Sequence, residues 1–110
     1  MPKKKTKIPE PVSEFKKRVS AALGHNLVEM KLYGSYARGD FTKDSDIDIL
    51  VTVRNFNPED EKKIWSEALE INLDYDVFIT AIVMADSEFH SEKWRVLPFI
   101  KNVEREGMVL

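Results

Sequence analysis

The chain has no cysteine. That absence excludes disulfides, zinc–thiolate sites and cysteine nucleophiles, and it suits a reducing compartment, so a cytoplasmic location is expected. Glycine is nearly as scarce, at four residues in 110, and two of the four bound one hexapeptide, Gly34 to Gly39. No apolar run approaches the ~20 residues of a membrane span, so no membrane association is expected. The lysine-rich start lacks the apolar segment of a signal peptide. Histidine is limited to His25 and His90. Neither is assigned a catalytic role, since the first follows a helix-ending glycine and the second lies in an amphipathic stretch.

Positive charge is also short once the first residues are set aside. Lys3, Lys4, Lys5 and Lys7 form a basic tail with prolines close behind, and the rest of the chain carries 13 basic and 19 acidic residues. A nucleic-acid groove is therefore not indicated by charge. Residues 1–10 read as a disordered, solvated tail. Residues 11–110 read as a single domain, large enough to bury a core without metals or disulfides.

What is present is periodic. From Pro11 to Leu23, the apolar residues Val12, Phe15, Val19, Ala22 and Leu23 recur at helical steps, with Gly24 just past the end. Leu27 to Tyr33 alternates, placing Val28, Met30 and Leu32 on one side, and it runs into Gly34 as a half-buried strand. A single helical turn can start at Ser35. Asp46 to Val53 is apolar on both faces, as in a central strand covered on each side. Asn57-Pro58-Glu59-Asp60 is a helix start, with Asn as the cap and acids in the first turn. Ile64, Trp65, Ala68, Leu69 and Ile71 are its expected buried face. Leu73 to Met84 reads as a third strand, with Asp74, Asp76 and Phe78 pointing to one side. A short helix then ends at Gly107 and Met108-Val109-Leu110 supplies a brief edge strand. The whole is an α/β (α+β) fold with a small mixed sheet flanked by helices.

Chemistry concentrates between Lys31 and Val53. Asp46 and Asp48 are two apart on a strand, so their carboxylates leave the same face and can converge on a hard cation such as Mg²⁺ or Mn²⁺. The plain alternative is a pair of solvated acids at a strand start. The surrounding apolar run argues against it, because desolvating two adjacent carboxylates is costly without a counter-charge. Gly34-Ser35 reads either as an ordinary strand-to-helix turn or as a place where backbone amides and the Ser35 hydroxyl meet a phosphate. Arg38 can clamp a phosphate or pair with Asp40 or Asp44. Two better-known motifs fail. A calcium loop beginning at Asp44 would have Ile49 in place of its turn glycine, and a P-loop from Gly34 would have Asp40-Phe41 in place of Lys-Ser/Thr.

Taken together, Gly34-Ser35-Tyr36-Ala37-Arg38-Gly39, a five-residue spacer and Ser45-Asp46-Ile47-Asp48-Ile49-Leu50-Val51 resemble the signature of the DNA polymerase β-like nucleotidyltransferases. The likeness is greatest to the small single-domain members called minimal nucleotidyltransferases. The resemblance implies Asp46 and Asp48 as ligands of two Mg²⁺ ions and Gly34 and Ser35 as binders of the triphosphate of an NTP, ATP by preference, with Arg38 the candidate phosphate clamp beside them. It also implies a third catalytic, metal-binding acid on a later strand, Asp76 in Tyr75-Asp76-Val77-Phe78-Ile79, with Asp74 as the other candidate. Transfer of AMP to an acceptor hydroxyl follows from the resemblance. So does a partner, either a second copy or a small helical protein of the HEPN type, with this chain as the antitoxin of a toxin–antitoxin pair. The opposing reading is a non-catalytic module that neutralises a helical partner by masking it.

Overall fold

The computed structural model of the chain describes residues 8–110. The basic tail therefore lies outside the described residues except for Ile8, Pro9 and Glu10, and Glu10 already belongs to the first helix. Helix α1 (Glu10–Leu23) buries Val12, Phe15, Val19 and Leu23 and stops at Gly24, whose φ of 53° ends the helix. A short 3₁₀ turn leads into β1 (Leu27–Tyr33), followed by α2 (Ser35–Arg38), β2 (Ile47–Val53), α3 (Pro58–Tyr75) and β3 (Ile79–Ala85). Three short helices follow, α4 (Asp86–Phe89), α5 (Glu92–Arg95) and α6 (Pro98–Glu106), before β4 (Met108–Val109).

The four strands lie in the order β3-β2-β1-β4, with β2 and β3 parallel and β1 antiparallel to both β2 and β4. Because β2 and β3 run the same way, both begin at one end of the sheet, and β1 ends there. Residues Ile47, Ile49, Val51 and Val53 face α1 and α3, and every one of them is fully buried. Leu50 points to the opposite face, where Met84, Phe89, Ile100 and Val103 close over it. The covering on that side comes from the short helices α4 to α6, and it leaves the Asp48 end open.

Three expectations are corrected. The third strand does not begin at Leu73. Leu73, Asp74 and Tyr75 form the last turn of α3, and the strand starts only at Ile79. Asn72 causes the break: its side chain accepts the Ile79 N–H at 2.7 Å and donates to the Ile79 carbonyl at 3.2 Å, fastening the strand start to the helix. Asp76 then ends the helix in the left-handed region, at φ 54° and ψ 49°, a conformation that Asp tolerates better than most residues. Nor are Trp65 and Leu69 buried. Both are more than half exposed, while Ile64, Ala68 and Ile71 form the inner face of α3. Val28 also sits outside, in the register shift between β1 and β2.

Candidate nucleotide and metal site

The site is built at the end of the sheet where β1 stops and β2 starts. Tyr33 pairs with Asp48 across the two strands, so Gly34 emerges beside the Asp48 carboxylate. A Cβ added to Gly34 would collide with Asp48 Oδ2, and Gly34 also has φ 77°. Glycine is thus required twice over, for conformation and for room. Ser35 opens the single turn of α2, whose Tyr36 is buried and stacks on Phe41 with ring centroids 4.1 Å apart. That stack and the Thr42–Ser45 hydrogen bond at 2.9 Å order the loop that delivers Asp46.

Asp46 is exposed and Asp48 half-buried. Burial first, and the charge of Asp46 second, push the Asp48 carboxyl above its ordinary value, while Arg38 pulls the other way. The Tyr33 hydroxyl is pushed up to about 12, mainly by burial and further by Asp48. An acid pair that repels itself in a partly dry corner has the donor chemistry of a hard divalent cation site. The two carboxylates fit such an ion as part of its ligand set. Among the described residues, no three carboxylate or imidazole groups lie close enough to form a metal cluster.

Arg38 is engaged by protein carboxylates. Its Nε donates to Asp40 at 3.1 Å and its Nη1 to Glu106 Oε1 at 3.0 Å. The same Glu106 oxygen accepts the Gly34 N–H at 3.3 Å. Glu106, at the end of α6, is a site residue that sequence reasoning missed. Its distance of 72 residues from Gly34 leaves no local signal.

Asp76 lies at the same end of the molecule as Asp46. Ile47 donates its N–H to the Phe78 carbonyl at 2.8 Å, and Asp76 is two residues before Phe78. A cavity of about 400 Å³ is lined by Lys43, Asp44, Ser45, Asp76, Val77 and Phe78. Asp74 does not line it and is exposed on the last turn of α3. Asp46, Asp48 and the Gly34 turn are brought together; Asp76 lines a cavity with Asp44 and Ser45 whose lining includes none of Asp46, Asp48 and Gly34.

A profile for the nucleotidyltransferase domain matches residues 12–108. Two proteins of Methanocaldococcus jannaschii, provisionally named protein adenylyltransferases MJ0141 and MJ0604, are similar. The first is 37% identical over 100 residues, covering 90% of this chain and 94% of that protein. The second is 34% identical, covering 90% and 93%. A mutant of the toxin–antitoxin pair MntA–HpeT contains a chain of similar fold, with a TM-score of 0.60 at 21% identity over 94% of this chain and 72% of that one. A provisionally named minimal nucleotidyltransferase gives 0.57 at 21% identity, over 89% and 90%. At such identities the solved structures speak to the fold, and they bear out the mixed sheet flanked by helices. The profile and the two relatives speak to descent: the chain belongs to the nucleotidyltransferase domain family and is an enzyme of the nucleotidyltransferase class.

Proposed function

We propose that the protein transfers AMP from ATP to a hydroxyl group on a protein partner. The observation that carries this reading is the packing of Gly34 against Asp48, which sets a triphosphate turn directly beside a paired-carboxylate strand. Asp46 and Asp48 would hold two Mg²⁺ ions, or Mn²⁺ in their place, which when bound offset charge on the attacking and leaving oxygens. We assign Asp76 as the third carboxylate of that set, one that would have to move toward Asp46 and Asp48, because the three do not stand clustered in the structure. Its support is its position at the shared strand-start end and in the cavity beside Ser45.

The chain's own part is positioning and charge. The Gly34 amide, the Ser35 hydroxyl and Arg38 orient the triphosphate so that its α-phosphorus faces the acceptor. The acceptor oxygen bonds to that phosphorus, the bond to the bridging oxygen breaks, and pyrophosphate leaves. The hydroxyl proton passes to a carboxylate, a role we assign to Asp76. The AMP preference draws support from the adenylyltransferase names of the two relatives.

For the partner we infer a small helical protein of the HEPN type, with this chain as the antitoxin. Support comes from the toxin–antitoxin structures that share the fold. It also comes from an exposed apolar strip of Trp65, Leu69, Leu73 and Phe78, whose Phe78 end borders the cavity lined by Asp76. The same strip would serve a homodimer or a purely masking complex. The discriminating experiment incubates wild type and Asp48→Asn with Mg²⁺, each labelled NTP and candidate acceptor proteins. Label transferred from ATP by wild type and lost in Asp48→Asn supports the enzyme. Partner binding with no transfer from any NTP would sink it in favour of masking.

A further inference from the structure

The Gly34 N–H and the Arg38 guanidinium converge on a single carboxylate oxygen, Glu106 Oε1, at 3.3 and 3.0 Å. A backbone amide and an arginine aimed at one anionic oxygen is the donor pair a phosphate would use. Here it is filled by the protein itself. We propose that Glu106 is an internal substitute for a nucleotide phosphate, which the triphosphate must displace, and that it thereby sets the affinity for NTP. This deepens the nucleotidyltransfer reading and rests on it.

Placement supports exchange rather than a permanent pin. The backbone of α6 is anchored by Ile100 and Val103, both fully buried, but Glu106 is the last residue of the helix and reaches the turn only through its side chain. Arg38 is nearly half exposed, against 14% for Glu106, so the cation sits on the rim, where an entering phosphate meets it first. Asp40 holds the other edge of Arg38 at 3.1 Å without touching the Gly34 amide. Asp40 thus supplies a built-in control: it carries the same charge, pairs with the same arginine and leaves the cradle free. Two anions cannot share one amide and one guanidinium edge without repelling each other at close range, so triphosphate and Glu106 compete.

Binding of ATP and of inorganic tripolyphosphate, with Mg²⁺, is measured by calorimetry on wild type, Glu106→Gln and Asp40→Asn. Glu106→Gln is expected to tighten both ligands about tenfold, the worth of one charge-assisted hydrogen bond no longer competing. Asp40→Asn should change affinity by about twofold or less, as an exposed ion pair does. Equal tightening in the two variants, or none in Glu106→Gln while wild type binds ATP, overturns the proposal and leaves the nucleotidyltransfer reading intact. Absence of ATP binding in every variant removes both. Wild type alone gives a second test that does not depend on the folding of a variant. On titration with tripolyphosphate, the ¹³C resonance of the Glu106 carboxylate should move in step with the Gly34 amide. A Glu106 signal that stays still while Gly34 shifts overturns the exchange.

Discussion

The two faces of the sheet are made from the same strands and have opposite fates. On one, Ile47, Ile49, Val51 and Val53 are sealed under α1 and α3. On the other, the same strand offers Asp48, Leu50 and Thr52, and only the lower part is covered, by α4 to α6. A strand with side chains alternating in direction can thus spend every second residue on stability and reserve the rest for chemistry. The open face carries a half-buried acid whose carboxyl is pushed above its ordinary value by burial and by Asp46; the closed face carries no polar side chain from β2. The contrast teaches that the site tolerates electrostatic cost because the opposite face secures the strand.

The contrast can be broken most severely at Asp48. Asp48→Asn should lower nucleotidyl transfer about 10³-fold, the scale of removing a preorganised charge-stabilising group, with no fall in melting temperature. A loss of stability comparable to that of a core variant would refute the division between faces. Its mirror image is Ile49→Ala, one residue away on the sealed side. Urea denaturation should show a loss of about 2–5 kcal/mol, while transfer per folded molecule stays near wild type. Gly34→Ala touches both at once. The left-handed φ costs about 1–2 kcal/mol, and the new methyl meets the Asp48 carboxylate, so both stability and transfer should drop. A variant that keeps full activity would show that the turn can move away from β2.

The smallest effect lies away from the site, where α3 begins. Asp60 accepts hydrogen bonds from Asn26 at 2.7 Å and Asn57 at 3.2 Å, and its own N–H donates to the Asn57 side chain at 2.8 Å. The Asn26 bond first, then Asn57 and the nearby Lys63, hold its carboxyl below the ordinary value of 3.8. A depressed folded value means that the carboxylate stabilises the fold fully above pH 3.8 and stops doing so as pH falls through the lower folded value. Asp60→Asn should therefore melt slightly below wild type at neutral pH, and the two should converge in strong acid. A gap that persists in acid would assign the effect to packing.

Much of this was legible in the chain because it is local. Gly34, Ser35, Asp46 and Asp48 announced themselves by spacing within twenty residues, and Asp46 to Val53 read as a strand buried on both sides, one residue longer than the observed Ile47–Val53. The start of β3 was not legible. Leu73 to Met84 places an apolar or aromatic residue at every second position from Leu73 to Val83, a strand-like alternation, and what divides helix from strand is a tertiary clasp, Asn72 onto Ile79. Glu106 was invisible for the same reason at longer range: a carboxylate bonded across 72 residues leaves no periodicity. Trp65 and Leu69 misled because helical spacing alone does not say which apolar residues face inward and which lie outside.

Trp65 has a consequence of its own. β3 is an outer strand of the sheet, and outer strands offer unpaired backbone groups to any extended chain that arrives. The Trp65 indole leans over this border and donates to the Ala81 carbonyl at 3.4 Å. It therefore occupies an acceptor that a newcomer would need for continuous pairing, and it shields the apolar hollow between α3 and β3. Sheet-to-sheet fusion of two copies along β3 would have to lift this ring first. The same exposed side chain that reads as an invitation to a helix is, toward a strand, a latch.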